Sequence, residues 1–158
     1  MLRELLQAPW PIRAALLVTA AALAVSVVTD LRQRRILNWV TIPALALVIG
    51  LFGTAGGWPF VKNSLIGMAV CAVPMLLAAI PGWIGIGDAK LIAVCGAALG
   101  FPAAVTVLFF VTIAGGLQGI LSLVAARLRG SPPPRHVPYA CSIAVGTLAA
   151  FLAPMQFP

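Results

Sequence analysis

Carboxylates are nearly missing from this chain. Among its 158 residues only Glu4, Asp30 and Asp88 carry one, and charged residues of both signs make up 8%. A soluble domain carries about 25% charged residues, so a fully water-facing surface is excluded. His136 is the sole histidine, and neither HExxH nor GxSxG occurs. A zinc-protease motif and a serine-hydrolase elbow are thereby excluded. The three cysteines, Cys71, Cys95 and Cys141, lack CxxC spacing and each lies in an apolar run. They read as buried structural thiols. What the chain does contain is apolar: 62% hydrophobic residues and a mean hydropathy of +1.11. That surplus has to face lipid, which makes the class an all-α polytopic membrane protein. Beside such a bundle there is no room for a further soluble domain of ~100 residues. The net charge of +7 does not indicate a nucleic-acid partner, because the basic residues sit in short clusters between apolar runs.

Those runs predict six spans, forming one membrane-embedded domain over 1–158. Residues 1–13, with Trp10 between two prolines, read as an interfacial lead-in. Arg3 and Arg13 before the apolar run 14–28 resemble a signal peptide, but cleavage there would leave an odd number of spans. The expected spans are 12–29, 38–53, 63–80, 88–99, 103–126 and 137–153. A Gly-rich turn over 53–59 separates the second from the third. Pro81 to Gly87 breaks the chain before the fourth, and Gly100-Phe101-Pro102 follows it. Arg32, Arg34, Arg35, Lys90, Arg127, Arg129 and Arg135 then fall on one face, against Arg3, Arg13 and Lys62 on the other. The positive-inside rule makes the first face cytoplasmic and both termini external. Asp30 and Asp88 land at the same, cytoplasmic, end, an agreement not built into the span assignment.

A carboxylate at the centre of a membrane helix costs roughly 2.5–3.5 kcal/mol, so a chain with two such groups holds them in pairs or uses them. Asp88 lies in Gly85-Ile86-Gly87-Asp88-Ala89-Lys90, at or near the N-cap of the fourth helix, where free N–H groups favour negative charge. Asp30 precedes three arginines, so a juxtamembrane ion pair is its plain structural role. If the two carboxylates meet, repulsion lets the pair share one proton. The ionised partner can take a proton from water, and the protonated one can polarise a carbonyl and protonate a leaving amine. Such an aspartyl peptidase needs no metal and no other cofactor. Supporting candidates are Gly85 and Gly87, for a tight turn and close approach, and Lys90, as a tuning cation or snorkelling anchor. Asn38 could cap its helix or hydrogen-bond near the site, and Tyr139 could be an interfacial anchor or contact the site. Gly115, Gly116 and Gly119 would permit close helix packing, and Gln118 would bond across helices. Intramembrane carboxylates also serve proton relays, so a proton-coupled transporter subunit is a second reading. A non-catalytic scaffold for pilus or secretion assembly is a third.

At these residues the chain resembles the type IV prepilin peptidase family, which includes archaeal preflagellin peptidases. Val28-Thr29-Asp30 followed by Ile36-Leu37-Asn38 is similar to the family's Asp, short basic loop and Ile-Pro-Asn. Gly85 to Leu91 fits its Gly-x-Gly-Asp-x-Lys-Leu. Val137-Pro138-Tyr139 with Gly146 is like its closing Pro-Tyr and glycine. Leu37 replaces the usual Pro, a change expected to alter loop shape rather than chemistry. Paired CxxC motifs of the long bifunctional members are absent, so the likeness is to short, peptidase-only members, as in tight-adherence (Flp) pilus systems, and it does not extend to N-methyl transfer. The resemblance implies an aspartyl leader peptidase of the cell inner membrane with Asp30 and Asp88 as its dyad. It implies a prepilin-like substrate cut between a short basic leader and an apolar helix at the cytoplasmic face. Membrane lipids are the other implied partner, with a homo-oligomer or the pilus assembly machinery left open.

Overall fold

A computed structural model describes residues 8–82, 84–130, 132 and 138–152. Glu4, Arg3, Trp83, Arg135, His136 and Val137, with most of the expected lead-in and part of the basic loop, lie outside them. Among the described residues the only regular secondary structure is five helices. These are α1 (Trp10–Gln33), α2 (Asn38–Ala79), α3 (Ile86–Leu99), α4 (Ala103–Leu128) and α5 (Tyr139–Leu152).

Local chemistry explains the ends. α1 begins at Trp10 with Pro11 in its first turn, where a missing N–H costs nothing. The part of the lead-in from Trp10 onward is therefore helix. α1 also runs past the expected end at Thr29, because Leu31, Arg32 and Gln33 are good helix formers. It stops at Arg34, in the left-handed region at φ 53°, whose N–H donates to Asp30 O at 2.8 Å. Asp30 thus lies in the last turn of α1 rather than after it.

α2 is assigned as 42 residues but is broken at Gly56-Gly57. Gly57 adopts φ 65°, ψ −150°, which glycine reaches without penalty. The limbs 38–55 and 58–79 fold back on each other. Phe52 and Phe60 meet across the break with ring centroids 6.4 Å apart, and farther along Leu45 and Met68 line the same cavity. The expected Gly-rich turn is real but needs only two non-helical residues. Pro43, Pro59 and Pro74 lie inside the assigned helix.

α3 is the centre of the bundle. Every residue from Leu91 to Gly100 is buried, as expected of a helix apolar on all sides. The second limb of α2 crosses it backbone to backbone. A Cβ on Gly67 would strike Gly96 O, and one on Gly96 would strike Gly67 O and stand 2.8 Å from Cys71 Sγ. Ser64 Oγ donates to Ala97 O at 2.8 Å beside this crossing. Cys71, Leu91, Ile92, Cys95, Val107, Val111 and Ile143 form one core cluster, joining α2, α3, α4 and α5. Ala15, Ala22, Val48, Phe52 and Val94 form a second, joining α1, α2 and α3.

The outward faces are apolar, with Leu17, Trp39, Leu77, Phe109, Leu117 and Leu148 exposed. By length and composition α1, α2 and α4 can each cross a bilayer. α3, at 14 residues, reaches about 21 Å, short of the ~30 Å hydrocarbon core. The chain is an all-helical membrane protein.

The glycine crossing makes a direct prediction. Gly96→Leu has no space to enter and should cost about 1–3 kcal/mol by overpacking. Gly116→Ala, where an added Cβ meets nothing within 4 Å, should be neutral or stabilising by up to ~1 kcal/mol. Thermal unfolding in detergent micelles checks both. An unchanged Tm for Gly96→Leu contradicts the tight crossing.

Candidate active site

Three helix ends converge where the two aspartates sit. α1 delivers Asp30 from its last turn, α3 delivers Asp88 from its first, and α5 begins beside them at Tyr139. Asp30 is 7% exposed. Its Oδ2 accepts a hydrogen bond from Ala140 N–H at 3.1 Å, one of the amides that a helix N-terminus leaves unpaired. Arg32, Arg34 and Arg35, the expected ion-pair partners, are all exposed. The partner that the structure supplies is therefore a backbone amide on another helix.

Asp88 is half-buried. The N-cap of α3 is Gly85, so Asp88 occupies the third helical position rather than the cap itself. Its Oδ2 accepts from Gly85 N–H at 3.1 Å, the reach-back of a capping box. Asp30 lies close enough to Asp88 for the two carboxylates to interact electrostatically. Each carboxylate is thus held by an amide at a helix N-terminus, where partial positive charge stabilises an anion.

Gly87 makes the close approach expected of it. An added Cβ would stand 2.9 Å from Ile36 Cβ, in the loop after α1. Gly85 is needed differently, since a Cβ there would lie 2.9 Å from Asp88 Oδ2. Leu37 caps α2 at φ −84°, ψ 123°, close to the φ that proline holds, so its replacement of proline leaves the loop backbone in reach of the same shape.

Tyr139 joins the pair. Its ring packs where Gly115 of α4 leaves room for it, and the phenol interacts electrostatically with Asp88. Cys141 was expected to be a buried structural thiol but is half-buried, and it interacts with Asp30. Lys90 and Asn38 belong elsewhere. Lys90 lies within α3, not in a loop, and its Nζ donates to Asn38 Oδ1 at 2.9 Å, fastening the start of α2 to α3. Among the described residues, no three of His, Cys, Asp and Glu gather as a metal-binding group.

Gln118 bonds across helices, as its place in an apolar run led us to expect, and what the sequence left unread is that the element it holds is the start of α5. Gln118, on α4, donates from Nε2 to Pro138 O at 2.9 Å. Its Oε1 accepts from Ser142 Oγ, and its backbone carbonyl accepts from Ser122 Oγ at 2.8 Å. One side chain thus grips both sides of the α5 start, and with it Ala140 N–H. The signal in the sequence was only that Gln118 is polar amid an apolar run.

A helical membrane bundle with two carboxylates steadied at converging helix ends is the class defined by fold and site. The family model described as the type IV leader peptidase family matches residues 17–120, a segment that holds Asp30, Asn38 and Gly85 to Lys90. The chain belongs to that family. A prepilin leader peptidase/N-methyltransferase of Bacillus subtilis (strain 168) is 35% identical over 103 residues, which cover 65% of this chain and 36% of that protein. The chain thus spans little more than a third of that relative's length. No solved structure matches.

Gln118→Leu should strand Pro138 O and the Ser142 hydroxyl and cost about 1–3 kcal/mol. Thr112→Ala, which removes an exposed hydroxyl bonded only to its own helix at Leu108 O, should stay within about 0.5 kcal/mol. Equal Tm losses for the two variants would show that Gln118 grips nothing.

Proposed function

We propose that this chain is an intramembrane aspartyl endopeptidase that removes the short basic leader of type IV-like prepilins. The single observation that carries the reading is that two helix N-termini bring Asp30 and Asp88 to one end of an otherwise apolar bundle, each carboxylate held by a backbone amide. Membership of the leader peptidase family supports it.

The chemistry follows from two carboxylates and one shared proton. The ionised aspartate takes a proton from water, and the oxygen attacks the scissile carbonyl carbon, forming the C–O bond. The protonated aspartate donates a hydrogen bond to the carbonyl oxygen as it gains charge, then gives its proton to the departing nitrogen as the C–N bond breaks. Ala140 N–H and Gly85 N–H hold one oxygen of each carboxylate, which fixes the pair before substrate arrives. Tyr139, seated against Gly115, is within electrostatic reach of Asp88, and Gly87 admits the loop at Ile36 beside Asp88, so both shape the entrance. Lys90 and Asn38 position α3 against α2.

In the proposed arrangement the six helical segments, counting both limbs of α2, cross the inner membrane six times. The carboxylates face the cytoplasm, where Arg32, Arg34, Arg35, Arg127 and Arg129 obey the positive-inside rule, and both termini lie outside. These arginines suit anionic lipid headgroups better than a basic leader.

The test is co-expression with a prepilin encoded in the same genome, read by gel shift and N-terminal mass. Asp30→Asn and Asp88→Asn should each lower cleavage by at least ~10³-fold with membrane insertion intact. The mass also reports whether the new amine is methylated. The rate should fall on both sides of a pH optimum, as the base is lost to protonation below it and the acid is lost to ionisation above it. Full activity in either Asn variant removes the dyad.

A further inference from the structure

A cavity of about 590 Å³ opens between α1 and α5, away from the carboxylates, with Arg13 at its far end. Its origin is the shortness of α3. From Asp88 to its end at Leu99, α3 advances about 16 Å, whereas α1 extends about 25 Å from Asp30 back to Arg13. Among the described residues no third helix lines the space beyond Leu99 that α1 and α5 flank.

The cavity lies on the same helix faces as the site. Leu23 and Leu16 line it and stand seven and fourteen residues before Asp30, nearly whole turns of one stripe. Ala144 and Thr147 line it from α5, four and seven residues after Ala140, again on one stripe. Ala140 N–H is bonded to Asp30 Oδ2, so the two stripes meet at the carboxylates. The lining is almost wholly apolar, and Thr19 turns its hydroxyl onto its own helix at Ala15 O, 2.9 Å away. Ala20 and Ala144 are small enough to let another helix backbone approach closely.

We infer that this groove seats the apolar transmembrane helix of the substrate, an inference that rests on the peptidase reading above. A helix lying in it would run from Arg13, at the outer boundary, to the carboxylates. The peptide bond just before the helix would then sit at Asp30 and Asp88. The distance from Arg13 to Asp30 is close to what a spanning helix needs. Groove occupancy would therefore select substrates by their helix, and would set the cleavage position by its register rather than by the leader's charge.

The decisive measurement is photo-crosslinking in the Asp88→Asn protein. A photoreactive residue replaces Leu148, which lines the groove and is exposed, and the prepilin from the same genome is co-expressed. The expected product joins Leu148 to the prepilin's apolar helix, while the same residue at exposed Trp58 on α2 yields none. As a second measurement, Ala20→Phe and Ala144→Phe partly fill the groove. Each should lower, at least tenfold, the ratio of intact-prepilin cleavage to cleavage of a peptide carrying the leader and cut site without the helix. Crosslinking of Leu148 to phospholipid alone, or a ratio within twofold of the unaltered enzyme, overturns the inference. If the unaltered chain cleaves neither substrate, the peptidase reading fails, and the crosslink at Leu148 still decides what fills the groove.

Discussion

The hydrogen bond from Ala140 N–H to Asp30 Oδ2 is the contact on which the acidic end of the bundle depends. It joins helices whose residues are 110 apart in the chain, and it does so with a charge-bearing acceptor in an apolar setting. There a carboxylate without a donor is costly. The amide at the start of α5 meets that need, and the Gln118 grip on Pro138 and Ser142 keeps the amide in place. Asp88 is treated the same way by Gly85 at the start of α3. Two helix N-termini thus converge on two carboxylates, and their partial positive charge offsets part of the repulsion between them. Arg32, Arg34 and Arg35, close in sequence to Asp30, are exposed.

α3 translates that local demand into global packing. It carries Asp88 at one end and is buried along the rest, so its position fixes the depth of the site. Its neighbours approach by removing side chains: Gly67 and Gly96 meet backbone to backbone, and Gly87 admits Ile36. The Lys90–Asn38 bond adds a polar fastening between the same helix and the start of α2. A central helix held by glycine contacts cannot slide without a clash. That rigidity fixes where Asp88 stands relative to Asp30.

Much of this was legible before any coordinates. Asp30 and Asp88 stood out because acidic residues are so rare, and the charge bias alone put them at one end. The break at Gly56-Gly57 was legible from glycine content, although its length was not. What could not be read was contact between distant residues through backbone atoms. Ala140 contributes an amide that every non-proline residue has, so no side-chain pattern marks it. Asn38 and Lys90 lie 52 residues apart, and each looked like a local cap or anchor. The end of α1 was misplaced because Asp30 looks like a helix terminator, whereas Leu31 to Gln33 continue the helix to the left-handed Arg34. Cys141 was grouped with two inert thiols because apolar flanks conceal which face of α5 it occupies.

The two-residue break in α2 bears on how the bundle closes. A hairpin whose limbs are joined by Gly56 and Gly57 has almost no loop to send across the bilayer ahead of the second limb. In the proposed orientation its outer tip carries one charged residue, Lys62, close behind the break. Close behind it Ser64 bonds to Ala97 O on α3, and Asn63 Oδ1 accepts from Phe101 N–H in the turn that follows α3. Both limbs pack on α3, the first through Val48 and Phe52 and the second through Ser64 and Gly67. A break of two glycines thus sets how closely the hairpin closes around the helix that carries Asp88.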